Sequence, residues 1–215
     1  MQIESDGILI NMYPFSERDM IARIFTKDAG MLVGMLRGAV NAKKNKPLIG
    51  QYGNVSWNAR LDSQLGVFHW ESEKNLSAPL MLKNDLLKIM NAAFALIYTL
   101  IPERESYNNL YDRTLQLLQT LPNSSSPAEL YLQWEIALLG DLGYALDLSK
   151  CSGCGRTDNL CYISPKTGRA VCADCGKPYA DRLYAMPLSL AVSECFVEHI
   201  CSVQGVDVPL ARKIL

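Results

Sequence analysis

Four cysteines carry the clearest chemistry in this chain. They fall as Cys151-x-x-Cys154 and Cys172-x-x-Cys175, with seventeen residues between the pairs. Two thiolates separated by two residues can face one metal ion at about 2.3 Å each, and two such pairs complete a tetrahedron. Four thiolates leave no open position for water, so the expected centre is one structural Zn2+ and not a catalytic one. A glycine follows each pair, at Gly155 and Gly176, and suits a tight turn that aims backbone N–H groups at sulfur. The ordinary alternative is four free buried thiols, but free thiols have no reason to occur as matched pairs. Two disulfides would need an oxidising compartment. The N-terminus, Met1-Gln2-Ile3-Glu4-Ser5-Asp6, has neither the basic nor the apolar stretch of a secretory signal, so a cytoplasmic protein is expected. Cys161, between Leu160 and Tyr162, reads as a small apolar residue, and Cys195 and Cys201 read as helix core.

The second chemical feature is a run of charge. Between Ala29 and Leu61 there are five basic residues and no acidic one: Arg37, Lys43, Lys44, Lys46 and Arg60. Residues 81–150 carry five basic and eight acidic residues. The net charge of −1 hides this asymmetry. Asn41, Asn45, Gln51 and Asn54 add polar donors to the basic stretch, and Tyr52 and Trp57 add aromatics. Cations with aromatics nearby make a surface that follows a phosphate backbone and stacks bases; a solvated loop is the plain alternative. No Gly-x-x-x-x-Gly-Lys-[Ser/Thr], Gly-x-Ser-x-Gly or His-Glu-x-x-His occurs, so nothing points to nucleotide binding or to an enzyme. His69 and His199, the two histidines, sit in ordinary strand and helix contexts.

These residues need elements to hold them. Residues 1–75 read as short strands at Gly7–Ile10, ended at Tyr13-Pro14, then Met20–Phe25, Met31–Gly38, Tyr52–Ala59 and Gly66–Trp70. Five short strands with turns between them suggest a small closed barrel. From about residue 80 the apolar period becomes helical, through Leu82, Leu86, Ile89, Met90, Ala93, Phe94, Ile97 and Leu100, and Pro102 stops the helix. A second helix is expected over 106–121. A third begins after Ser126, with Pro127 at its first position and Glu129 completing a capping box, and runs through Trp134, Leu138 and Leu139. Residues 187–203 and 208–215 read as helical again. The longest apolar run, about Ile89 to Ile101, is shorter than the ~20 residues a bilayer needs.

The run Gly143-Tyr144-Ala145-Leu146-Asp147-Leu148-Ser149-Lys150-Cys151-Ser152-Gly153-Cys154-Gly155 resembles the RecO family of bacterial recombination-repair mediators. So do Tyr162–Gly168, Val171–Cys175, Asp6–Leu9, Ser16–Asp19 and Gly34–Ala39. The resemblance covers nearly the whole chain in the right order, and the cysteine block is its most specific part. It implies an N-terminal OB-fold and a helical domain with an inserted zinc module. It also implies binding to single- and double-stranded DNA, strand annealing, and loading of recombinase onto protein-coated single strands, without ATP. The implied partners are RecR and the C-terminal tail of single-strand-binding protein, at the bacterial nucleoid. Family members are usually richer in arginine and serine after Gly38; here the stretch is Val40-Asn41-Ala42-Lys43-Lys44-Asn45-Lys46, and lysine lacks arginine's fork. The end at Arg212-Lys213-Ile214-Leu215 falls within a helical pattern, as in a truncated chain.

The resulting expectation is an α+β protein: an OB-fold-like DNA-binding barrel over 1–78, then a helical domain over 79–215 with the zinc module at 150–178. An acidic tail ending in a free carboxylate needs an apolar pocket with a cation at its rim. Arg113, between Leu110 and Leu117 at helical spacing and with Arg104 and Lys88 nearby in sequence, is the expected rim cation. A zinc-stabilised helical adaptor that binds protein and not DNA is the competing reading, and a nuclease or hydrolase with an unrecognised carboxylate site is the third.

Overall fold

The computed structural model describes residues 1–60 and 65–215; Leu61, at the end of the basic segment, lies outside them. In chain order the elements are β1 (Gln2–Pro14), β2 (Met20–Thr26), β3 (Gly30–Leu36), β4 (Gln51–Asn58), β5 (Gly66–Asn75), α1 (Asn84–Leu100), α2 (Asn108–Thr120), α3 (Pro127–Asp141), β6 (Leu160–Ile163), β7 (Ala170–Cys172), α4 (Ala173–Gly176), β8 (Tyr184–Ala185), α5 (Leu190–Gln204) and α6 (Leu210–Lys213). The class is α+β. The contacts divide the described residues into two units, Met1–Pro127 with Pro209–Leu215, and Ala128–Val208.

In the first unit the barrel closes in the order β1-β2-β3-β5-β4, the strand connectivity of an OB-fold. Closure depends on β1. At thirteen residues it pairs with β4 along Gln2–Ile8 and with β2 along Gly7–Pro14. An irregularity between Leu9 and Asn11 bends it from one partner to the other. The parallel pairing of β3 with β5 completes the ring. Alternate side chains point inward, so Leu9, Ala22, Ile24, Leu32, Leu36, Val55, Trp57 and Phe68 form one buried cluster. Gly66 leaves room for Trp57: a Cβ there would lie 2.1 Å from the indole.

The sequence division at 78 marks the change from strand to helix, whereas the contact division falls at Pro127. The reason is that α1 and α2 pack on the barrel. Phe25 of β2 meets Tyr111 of α2 with ring centroids 5.7 Å apart. The connection between the helices runs along β3, where the Arg104 N–H donates to the Met31 carbonyl at 3.0 Å. Gly30, at φ +65, admits this connection; a Cβ there would sit 1.8 Å from the Glu105 carbonyl oxygen. Arg23–Glu103 and Lys27–Asp112 ion pairs, at 3.3 and 3.6 Å, flank the same seam. Leu82, expected on the buried face of the first helix, is 90% exposed and precedes α1. The helix instead buries Ala92 and Leu96 as well as the expected positions, because it is covered on more than one side.

The second unit contains α3, α5 and a three-stranded sheet in the order β7-β6-β8. Inside it, Glu135 of α3 is fully buried and accepts from the Tyr131 hydroxyl and from the Ser193 hydroxyl of α5, both at 2.6 Å. A hydrogen bond at each oxygen offsets much of the cost of burying this polar group. The helical pattern expected over 208–215 forms only the four residues of α6, which belongs to the first unit and packs on α1.

Candidate metal centre and nucleic-acid interface

The strands β6 and β7 bring the two cysteine pairs together. Cys151 and Cys154 lie in the loop before β6; Cys172 ends β7 and Cys175 lies in α4. The four sulfurs are all within 4.8 Å of one another, and those of Cys154 and Cys172 are 3.7 Å apart. A tetrahedron with arms of about 2.3 Å has edges of about 3.8 Å, so the donor set fits one ion held by four thiolates. All seven cysteines are free of disulfides.

Backbone donors favour thiolate at this cluster. The Cys172 and Gly153 N–H groups donate to Cys151 Sγ at 3.3 and 3.4 Å. Together with the Cys154 N–H they pull the Cys151 thiol down to about 6, the Cys172 N–H contributing most and burial opposing the change. Contacts with the sulfurs of Cys172, Cys154 and Cys151 push the Cys175 thiol up to about 12, so it keeps its proton once Cys151 is charged. A bound cation would relieve that mutual repulsion. The donors differ from those expected. Gly155 does turn, at φ +78, but its N–H bonds the Cys151 carbonyl and not a sulfur. Gly176 has no left-handed φ; it is required because a Cβ would lie 2.3 Å from the Tyr162 ring. Arg156 bridges to Asp174 at 2.8 Å, joining the two pairs at the surface. Cys161 donates to Asn159 and is not one of the four. Cys201 is buried, as expected for core, whereas Cys195 is half-buried.

Lys43, Lys44 and Lys46 are exposed on the β3–β4 loop, with Arg37 at its start. The backbone of this loop is held at three places. The Gly38 N–H donates to Asp19 Oδ1 at 2.8 Å, and the Val40 N–H to the Arg18 carbonyl at 3.1 Å. Gln51 forms the third: its Oε1 accepts from the Leu48 N–H at 3.0 Å and from Trp70 Nε1 at 3.4 Å, and its Nε2 donates to the Lys46 carbonyl at 3.4 Å. The first two bonds tie the β1–β2 loop to the basic loop. They add exposed Arg18 and Phe15, the latter 57% exposed, which sequence reading missed because nothing in the chain order says that residues 15–19 and 37–40 are neighbours.

Arg60 is exposed but stands apart: the lysines precede β4 and Arg60 follows it, roughly 23 Å of strand away at about 3.3 Å per residue. Trp57, expected near the basic loop as a base-stacking aromatic, is instead a barrel core residue, 1% exposed, whose Nε1 donates to the Val33 carbonyl at 2.9 Å. Its inward place follows from the strand alternation that also buries Val55. Tyr52 is half-buried, its hydroxyl held above the ordinary tyrosine range by burial and by Asp6. His69 is exposed and pairs with Glu71 at 3.1 Å, and His199 packs edge-on against Tyr144.

Arg113 is exposed on α2, but Leu110 and Leu117, one turn away on either side, are buried at 0 and 2% exposure. The neighbouring cations are engaged elsewhere. Arg104 lies over the Trp57 ring, 5.0 Å from its centroid, and Lys88 pairs with Asp85 at 3.8 Å. Among the described residues, no helix is long and apolar enough to cross a membrane.

Comparison with known proteins adds to this geometry. The family described as recombination protein O, N terminal, matches residues 1–72, and that described as recombination protein O, C terminal, matches residues 85–196. A DNA repair protein RecO of Rhizobium rhizogenes is 37% identical over 194 residues, covering 89% of this chain and 74% of that protein. One of Rhodospirillum centenum is 34% identical over 232 residues, covering 99% of this chain and 92% of that protein. One of Jannaschia sp. is 38% identical over 194 residues, covering 89% and 78%.

Proposed function

Since this chain belongs to the RecO family, we propose that it is a non-enzymatic DNA-binding mediator of recombination repair. It binds single- and double-stranded DNA, anneals complementary strands and helps load recombinase onto protein-coated single strands. The observation that carries this reading is the basic loop: three exposed lysines on a backbone held by Asp19, Arg18 and Gln51. Lysines along a phosphate backbone remove strand repulsion by releasing counterions. Once repulsion is screened, bases exposed on the protein meet complementary partners at high local concentration, and no covalent bond is made or broken. Arg37, Lys43, Lys44 and Lys46 are the phosphate contacts in this reading, with Arg60 as an outlying one.

The metal in the cysteine cluster is Zn2+ in this reading, held by Cys151, Cys154, Cys172 and Cys175. When bound it supplies folding energy to a sheet of only three short strands and takes no part in a reaction. Residues 1–78 act as the DNA-binding barrel, and the helical part takes the partners. These are RecR and the acidic tail of single-strand-binding protein, the latter with Arg113 at the rim of its site. The protein then works in the bacterial cytoplasm at the nucleoid. A titration of labelled single- and double-stranded DNA at several salt concentrations tests the function. Affinity falling steeply and linearly in log–log form is expected; no DNA binding at low salt would leave the protein-binding adaptor as the better reading, and metal-dependent cleavage of the DNA would point to a nuclease.

A further inference from the structure

The underside of the basic loop holds a pocket of about 280 Å³ that Lys43, Lys44 and Lys46 do not line. Its walls come from the loop on one side and β5 on the other: Arg37, Asn45 and Pro47 face Phe68, His69 and Trp70. It is larger than a water or an ion needs and just below the range of drug-sized sites, which begins near 300 Å³. The space suits one heterocycle. Three bonds to Gln51 keep it open. The Trp70 indole is fixed by Gln51 Oε1 at 3.4 Å, and the same Gln51 fixes the loop through the Lys46 carbonyl and the Leu48 N–H. The loop therefore cannot collapse onto Trp70 without losing them. Asn45, at φ +53, makes the turn that carries the loop past the pocket, a conformation asparagine accepts more readily than most residues.

Resting on the DNA-binding reading above, we propose that this pocket takes a single unstacked nucleobase of single-stranded DNA, with Trp70 as the aromatic it stacks on. The chemistry of the walls selects the ligand. Indole, phenyl and pyrrolidine groups favour a flat apolar body, and Arg37, His69 and Asn45 offer polar groups at its edge. Arg37, Lys43, Lys44 and Lys46 on the same loop favour a polyanion attached to that body. An acidic peptide satisfies only the second requirement, and duplex DNA, whose bases are stacked and paired, satisfies only the second as well. Stacking on an aromatic accepts every base, so the pocket discriminates single from double strands without reading sequence. A protein that must hold bases exposed for annealing needs this discrimination.

The three tryptophans make the test direct. Trp57 and Trp134 are buried at 1 and 2% exposure, and Trp70 is the partly exposed one. Full-length protein is titrated with three labelled DNAs: an oligothymidylate, a strand of equal length with abasic sugars throughout, and a blunt duplex. Anisotropy reports binding, and tryptophan fluorescence reports stacking. The oligothymidylate is expected to bind and to quench. The abasic strand is expected to bind roughly 5- to 150-fold more weakly, the span that loss of one stacked base gives, and without quenching. The duplex is expected to bind without quenching, and Trp70→Phe to bind oligothymidylate within about 2-fold of wild type with the quench removed. Equal quenching by the abasic strand or the duplex, binding without any quench, or a quench that survives in Trp70→Phe each overturns the pocket while leaving DNA binding intact. Absence of any anisotropy change overturns the DNA-binding reading and the pocket together.

Discussion

Replacing Lys43, Lys44 and Lys46 together with alanine separates phosphate contact from loop structure. All three side chains are exposed. The loop is held instead by backbone groups: the Lys46 carbonyl accepts from Gln51, and the Gly38 and Val40 N–H groups donate to the β1–β2 loop. Truncation beyond Cβ leaves those bonds in place, so thermal stability should change by no more than about 0.5 kcal/mol. The effect on DNA should be large. Each lost phosphate contact flattens the slope of log K against log salt by about 0.9 on duplex and about 0.7 on single strands, so three contacts remove about 2.7 and 2.1. Between 50 and 200 mM salt, wild type should therefore lose affinity about 40-fold more than the variant on duplex and about 20-fold more on single strands. Anisotropy with labelled DNA across that salt range measures both slopes. Gln51→Ala is the complementary variant: it keeps every cation but frees the loop, so its slope should stay while its affinity falls. A triple variant with unchanged affinity and slope would refute the assignment of this loop to phosphate.

Four further outcomes follow from other parts of the molecule. Purified protein should carry about one zinc per chain, and Cys172→Ser should lose metal and stability together, since Cys172 is fully buried in the small cluster with Cys151 and Val171; metal-free protein with unchanged melting would contradict a structural role. Acid should release the metal, because protons compete with it for the four thiolates. Without an ion the Cys151 thiol is depressed from 9.0 to about 6, so its contribution to folding is full above about 9 and is lost as pH falls through about 6, and a bound cation holds it lower still; a colorimetric assay should therefore show zinc released only below about pH 6, and release complete at pH 7 would contradict it. Gly30→Ala combines a left-handed φ with a clash against the Glu105 carbonyl and should cost about 2–5 kcal/mol in urea unfolding; a cost below 1 kcal/mol would mean that the helix connection moves aside freely. Arg113→Glu should weaken a peptide ending in a free carboxylate at least tenfold while leaving its amidated form unchanged, by calorimetry; equal effects on the two would remove Arg113 from the rim.

Some of this protein was legible from residue order alone, because the physics involved is local. Two Cys-x-x-Cys pairs specify a four-thiolate cluster whatever surrounds them, since the spacing itself sets which sulfurs can share an ion. Strand alternation and helical period are equally local. They gave five barrel strands and the course of α1, apart from Leu82, which the period included although the helix starts after it. The basic stretch was visible as charge without counter-charge.

What residue order left open was every choice that depends on closure. Trp57 looked like a surface aromatic beside lysines, yet strand alternation with a closed ring puts it inside. Phe15, Arg18 and Asp19 looked remote from residues 37–48, yet β2 and β3 run back to bring both loops to one place. Gln51 looked like one more polar donor, and only the pairing of β4 with β5 reveals that it holds the loop and Trp70 at once. Gly176 looked like a turn and is instead the space beneath Tyr162. Local preferences extend over a few residues, whereas these contacts join positions nineteen or more residues apart in three of the four cases. Such contacts exist only because the strands satisfy one another's hydrogen bonds around a ring, and which strand meets which is a property of the whole chain and not of any window along it.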